Sequence, residues 1–180
     1  MSRPRYPRPA QPLLSVFGRD WEEFWPELLH SLERKLGPAD HISSLFPFTE
    51  TGYYQAEMGS PLYRRIVAFQ TLLDPQRLVE MKLACNELEE DYLRWDGSRR
   101  VNLDPGLLFL ERLVLATGKD FTHRIYLGEG IWVDLTLIYQ HGGWQTLPWT
   151  YPDYAGERVQ SELREIRRSY KAKLRQIDDR

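Results

Sequence analysis

The sequence predicts an α+β fold, a ferredoxin-like β-α-β-β-α-β core extended by a C-terminal β-meander and a terminal helix. Three observations predict it. Two stretches, opening at Asp20 and at Asp74-Pro75, carry apolar residues at steps of three and four, and short apolar β-type runs flank each. Runs of alternating character between Arg124 and Leu147 are separated by glycine-containing turns. From Glu157 onward Val159, Leu163, Ile166, Tyr170, Leu174 and Ile177 form one apolar stripe.

Residues 1–12 alternate Arg and Pro, which predicts a disordered, extended tail able to touch an acidic partner, ahead of one α+β domain over 13–180. Pro12 to Gly18 (PLLSVFG) predicts the first strand. Asp20 with Glu23 gives an Asp-x-x-Glu capping pattern before Trp21, Trp25, Leu28, Leu32 and Leu36, and Gly37-Pro38 ends that helix. Residues 40–48 read as extended, followed by an irregular aromatic loop through Tyr53 and Tyr54. Tyr63–Gln70 is β-type; Asp74-Pro75 opens a helix with Leu78, Met81, Cys85, Leu88 and Tyr92 on one face. Arg100–Leu103 predicts a short strand that Asp104-Pro105-Gly106 turns away, and residues 107–117 fit either a helix or a strand. The meander follows over Arg124–Leu127, Ile131–Gln140 and Trp144–Leu147, with turns at 128–130 and 141–143. The terminal stripe packs on the domain or pairs with a second copy, giving a monomer or a homodimer through this helix, and its end beyond Tyr170 is expected to project.

Composition narrows the class. A chain of 180 residues with 42% hydrophobic and 28% charged residues buries a core. A formal net charge of -2 makes no basic field, so a nucleic-acid partner is disfavoured. The single Cys85 rules out an internal disulfide and a multi-cysteine zinc site. No apolar run approaches the roughly 18 residues of a membrane span, and the N-terminus lacks the apolar stretch of a secretory signal. The expectation is a soluble cytoplasmic protein with no membrane partner.

The residues define no reaction class and name no cofactor. Neither a phosphate loop nor a dinucleotide fingerprint is present. Thr117-Gly118-Lys119-Asp120 differs from the guanine-reading element of GTPases in having its lysine one position late. The four histidines are not at metal-ligand spacing, and His41-Ile42-Ser43 matches only half of a two-histidine phosphoesterase signature. Lys119, Asp120, His123 and Arg124 form the densest polar cluster: two cations suit a phosphate or carboxylate, and an imidazole beside a carboxylate suits acid–base work. Equally, Asp120 could cap a turn and pair with Arg124. Asn102 and Asp104 lie at the end of a strand, where turn initiation competes with a site role. Arg64 and Arg65 alternate faces, so one at most reaches a shared pocket. Glu57 and Lys82 could pair, although exposure accounts for both. Phe17 and Phe69 fall on strands where RNA-binding aromatics sit, without the surrounding recognition pattern.

The stretches FPFTETGYY, EMG (57–59), NLDPG (102–106), KDFTHRIYLGEG (119–130) and PWTYPDY (148–154) resemble those of domain of unknown function 4416, a prokaryotic family of small single-domain proteins. The resemblance implies no established activity, cofactor or catalytic residue. It implies that Asn102, Asp104, Lys119, Asp120, His123 and Arg124 occupy the family's motif positions.

Three functions follow as expectations. The first is a binder of, or enzyme acting on, a small anionic ligand, phosphorylated ligands included. In it His123 and Asp104 are the catalytic pair, and Asn102, Lys119, Asp120 and Arg124 bind the ligand. Asp104 or Asp120 would orient the imidazole or hold a metal. The second is a noncatalytic interaction or dimerisation module, and the third an RNA-binding domain.

Overall fold

The computed structural model describes residues 1–179. In chain order the elements are β1 (Gln11–Gly18), α1 (Trp21–Leu36), β2 (Ala39–Ile42), β3 (Phe46–Pro47), α2 (Gln55–Met58) and β4 (Tyr63–Phe69). A 3₁₀ turn (Pro75–Arg77) leads into α3 (Leu78–Asp91), then β5 (Val101–Leu108), β6 (Arg112–Thr117), β7 (Arg124–Gly128), β8 (Ile131–Gln140), β9 (Gly143–Thr146), α4 (Pro152–Ala155) and α5 (Glu157–Asp178). The strands form one antiparallel sheet in the order β2-β4-β1-β5-β6-β8-β7, with β3 on β4 and β9 on β8.

Helices cover both faces of this sheet. Because side chains alternate along a strand, Leu14 and Val16 of β1 point with Val67 and Phe69 of β4 and Val101 and Leu103 of β5 to one face. There Phe24, Leu28 and Leu32 of α1 and Met81, Cys85 and Leu88 of α3 bury them. Leu13, Ile66, Ala68, Leu108, Leu113 and Leu137 point the other way and meet Tyr154 and the α5 stripe of Val159, Leu163, Ile166, Tyr170 and Leu174. Each fully buried leucine or isoleucine contributes on the order of 1.5–3 kcal/mol, so α5 is bound to its own sheet. Its far end is docked too: Lys173 Nζ reaches Asp40 Oδ2 at 2.6 Å and Gln11 Oε1 at 2.7 Å. The expected projection beyond Tyr170 therefore begins only past Leu174, which is itself buried.

Several boundaries differ from the sequence reading, each for a local reason. Residues 10–12 do not belong to the tail: Ala10 bridges Leu73 and Gln11 Nε2 donates to Phe69 O at 2.6 Å. Asp104-Pro105-Gly106 makes no turn. It runs inside β5, because β1 pairs with all eight residues from Val101 to Leu108, and proline is tolerated since its missing N–H faces a side where no strand bonds. Gly106 is needed at that point: a Cβ there would lie 2.6 Å from Val114 O and 2.7 Å from Leu115 Cδ2. Residues 107–117 are strand on both sides of a tight turn. The aromatic loop holds α2, and α4 precedes α5.

One irregularity shapes the molecule. β5 pairs with β6 only over Gly106–Leu108, while its first half, Val101–Pro105, has no strand on that side. Side chains from α3 take over: Leu103 N–H donates to Glu89 Oε1 at 2.5 Å and Leu103 O accepts from Lys82 Nζ at 3.1 Å. Lys82 is thus a buried structural cation rather than a partner of Glu57, which pairs with Arg99. The sheet splits beside Asp104.

Candidate functional site

The registers place a set of polar side chains on the α5 face next to the split. Ser15 of β1 lies opposite Asp104 of β5, and Phe17, two residues on, lies between Asn102 of β5 and Arg64 of β4. Across the split, Arg124 of β7 pairs with Asp134 of β8, and Asp134 pairs with Leu115 of β6 on the same face as Gly106. Asp104 is the one residue of β5 that is not fully buried, so the α5 face opens to solvent there.

Behind Asp104 sits a donor-rich floor. Arg64, 1% exposed, lies over the Phe48 ring at 4.2 Å and brings Nη1 to 2.5 Å from Asp153 Oδ2. That contact is made by charge, off the N–H axis, and Arg64 Nε and Nη1 have no partner in hydrogen-bonding geometry. Ser15 Oγ, Asn102 Nδ2 and Tyr154 Oη are likewise buried without a partner. Ser15 lies near enough to Tyr154 to ease its ionisation slightly, yet burial first and the Asp104 carboxylate next hold that phenol far above its usual range. Buried polar atoms left unpaired cost about 1–3 kcal/mol each, and four such side chains gather around this opening. Asn102 is fixed through its Oδ1, which accepts from Arg99 Nη1 at 2.7 Å.

Two walls flank this floor. On one, Tyr53 and Tyr54 meet edge to face at 5.0 Å, and Tyr54 is kept protonated chiefly by burial and secondly by Asp104. Arg99 donates from Nη2 to Glu57 Oε2 at 2.6 Å, which holds the Glu57 carboxyl below its ordinary value. On the other, Asp134 Oδ2 lies 2.9 Å from His123 Nε2 and 3.1 Å from Arg124 Nε. Trp149 stacks on the His123 ring at 5.0 Å and 11° while its indole N–H donates to Leu135 O at 2.8 Å. Thr150 Oγ1 bonds Thr136 O, so the 147–150 loop fills the gap that β7 and β9 leave along β8. Tyr151 joins the two halves: Arg124 Nη2 donates to its hydroxyl, and burial raises its pKa with Asp134, Asp104 and Asp153 adding to the effect.

The six residues singled out from sequence are therefore placed unequally. Asn102, Asp104, His123 and Arg124 share the α5 face or its edge. Arg124 is fully engaged, by Asp134, Tyr151 and Lys119 O, and orients its surroundings. The imidazole is oriented by Asp134, not by Asp104 or Asp120. Lys119 is exposed on the rim, with Nζ 3.3 Å from Tyr53 Oη and 4.8 Å from the ring centroid. It has no carboxylate partner among the described residues. Asp120 is exposed and neither caps a turn nor pairs with Arg124. The Asp104 carboxylate makes no hydrogen bond or ion pair among the described residues.

Sequence reasoning missed Asp134, Asp153, Ser15 and Tyr154. Asp134 had one signal, a carboxylate in the middle of an otherwise apolar strand (IWVDLTLIY), since burial demands a cationic partner for it. Arg65 lies on the opposite face from Arg64, between Trp21 and Trp25. Phe17 and Phe69 are both buried and point to opposite faces, so they make no shared stacking platform. Among the described residues no group of three or more His, Cys, Asp and Glu side chains could hold a metal ion. A shallow groove of about 150 Å³ between α1 and α3, lined by Lys35, Leu36, Leu73 and Arg77, lies on the other face, where Arg77 is paired with Glu80.

No helix among the described residues is long and apolar enough to cross a membrane. No curated protein and no solved structure matches the chain. A family profile does, over residues 8–170, a span that includes β1, the split beside Asp104 and both walls of the polar face, and the chain belongs to that family, domain of unknown function 4416 (DUF4416).

Proposed function

We propose that this protein is a cytoplasmic binder of a small anionic ligand, taken up on the α5 face at Asp104. The observation that carries the reading is the group of unpartnered buried atoms, Ser15 Oγ, Arg64 Nε, Asn102 Nδ2 and Tyr154 Oη, beside the single opening in β5. Those atoms are buried, so a ligand oxygen reaches them only as the opening at Asp104 widens, and it then gives Arg64 Nε and Asn102 Nδ2 the partners that the protein does not supply. Lys119, on the rim and without a carboxylate, is the cation left to attract the anion. Arg124, filled by Asp134 and Tyr151, positions the wall.

Should the ligand also be transformed, His123 is the proton-transfer group. Its Nε2 is anchored on Asp134, Trp149 fixes the ring plane, and Nδ1 remains free among the described residues. Asp104 is the second proton carrier. In fold, the strand order β2-β4-β1-β5 with α1 and α3 on one face supports a ferredoxin-like core carrying β6–β9 as an added wing.

Thermal melting of the full chain against inorganic phosphate, small carboxylates and sugar phosphates tests the reading, because a ligand of the folded state raises the melting temperature. At least one anion should raise it in the natural protein and fail to do so in Lys119→Ala and Asn102→Ala. If no anion shifts the natural protein, or the shift survives both substitutions, the reading is wrong.

A further inference from the structure

The proposal here rests on the anion-binding reading and concerns what the rest of the ligand must be. A bare anion suits this site poorly. Asp104 is an unpaired carboxylate beside the floor, and a phosphate pressed against Asn102 and Ser15 would be repelled by it. A hydroxyl group does not meet this conflict, because it donates to Asp104 and accepts from Asn102 Nδ2 in the same place. The Ser15 and Tyr154 hydroxyls, which act in either direction, are buried beneath it.

The charge needed for the anion lies elsewhere, at Lys119 on the rim beside Tyr53. Around Lys119 and His123 the exposed surface is aromatic: Tyr53 is 67% exposed, Phe121 61% and Trp149 37%. Trp149 is stacked on His123, so its exposed surface lies away from that ring. Flat π faces of this kind pack against the C–H faces of a sugar or polyol carbon skeleton, and two of the three rings are held in orientation, Trp149 through Leu135 O and Tyr53 through Lys119.

We infer that the ligand is a phosphorylated sugar or polyol, with its hydroxyls on Asp104 and Asn102, its carbon skeleton over the aromatic rim and its phosphate at Lys119. The two ends of the site then have separate tasks. Asp104 selects hydroxyls and Lys119 selects the charge, so neither half of the ligand binds well alone.

Calorimetric titration of the full chain with glucose 6-phosphate, glycerol 3-phosphate, glucose, inorganic phosphate and glycine decides the matter. A sugar or polyol phosphate should bind about tenfold or more tightly than either glucose or phosphate. That preference should fall by about tenfold in Asp104→Asn and in Lys119→Ala. Both variants keep the side chain's shape or sit on the exposed rim, and unchanged melting temperatures check that they fold. Phosphate binding as well as glucose 6-phosphate overturns the sugar assignment and leaves the anion site standing. Glycine binding in their place makes Asp104 an ammonium receptor and overturns it as well. Binding of a sugar phosphate unaffected by either substitution moves the site away from Asp104. Silence from all five probes removes the sugar assignment, and if the broader set of anions also leaves the melting temperature unmoved, the underlying reading falls with it.

Discussion

The Asp134 carboxylate holds His123 Nε2 at 2.9 Å from a position where Asp134 itself is 1% exposed. The same oxygen accepts from Arg124 Nε, and Thr136 Oγ1 donates to the other at 3.3 Å. Removing one partner from a buried charge pair costs about 3–5 kcal/mol because the other charge is left in low dielectric. Asp134→Ala should therefore lower the unfolding free energy by about that amount in chemical denaturation. His123→Gln, which leaves the Arg124 pair intact, should cost about 1 kcal/mol. Equal losses would mean that Arg124 contributes nothing to the wall.

Gly106 stands where β6 comes closest to β5. Gly106→Ala drives a methyl group against the Val114 carbonyl and the Leu115 side chain. Such overpacking costs about 1–3 kcal/mol, and melting temperature is the readout. An unchanged Tm would mean that the two strands separate readily at this point.

Glu89 supplies a pH dependence. Burial raises its carboxyl above the ordinary value of 4.5, against the lowering effect of Lys82 and of the Leu103 N–H. An acid whose folded pKa is raised binds its proton more tightly in the native state. Stability is then highest below the unfolded value and falls as pH climbs from 4.5 toward the raised one. Glu89→Gln keeps an acceptor for Leu103 and should flatten that fall in denaturation curves taken from pH 4 to 7. Glu57 works in the opposite direction: Arg99 lowers it, so its contribution is present at neutral pH and lost on acidification below the ordinary carboxyl range. A variant whose stability profile over that interval matches the natural one would remove Glu89 from the account.

The C-terminal helix separates at Leu174. Deleting residues 175–180 should leave a folded monomer by sedimentation, since the buried stripe ends at Leu174. Deleting 171–180 removes that leucine and the Lys173 contacts, at a cost of roughly 3 kcal/mol or more. Cutting at Gly156 uncovers the whole α5 face of the sheet and should give aggregates. A soluble, cooperatively melting protein after that cut would contradict the packing of α5.

Much of this fold is legible in the sequence because its stripes are long and its turns carry glycine. The α1, α3 and α5 periodicities each bury most of the face they predict, with Trp25, Leu36 and Tyr92 only partly buried and Ile177 exposed, and Glu129-Gly130, with φ of 52° and 75°, turns β7 into β8. NLDPG misled because Pro-Gly normally turns a chain, whereas the eight-residue ladder with β1 outweighs that local preference. For the site, Asn102, Asp104 and His123 were visible as a polar motif. Their partners were not: Asp134, Asp153, Arg64 and Ser15 come from distant strands and loops, and only strand register brings them onto one face. Asp120 shows the converse, a motif residue that the chain turns outward.

The central claim is that the opening at Asp104 receives the ligand, and amide chemical-shift mapping tests it most directly. The ¹⁵N-labelled full chain titrated with glucose 6-phosphate should show saturable shifts concentrated at Ser15, Asn102, Asp104 and Lys119, and inorganic phosphate should shift Lys119 only weakly. Shifts confined to the Arg/Pro-rich N-terminus or to the outer face of α5 around Lys171 and Arg175, with Asp104 and its neighbours unmoved, would contradict it.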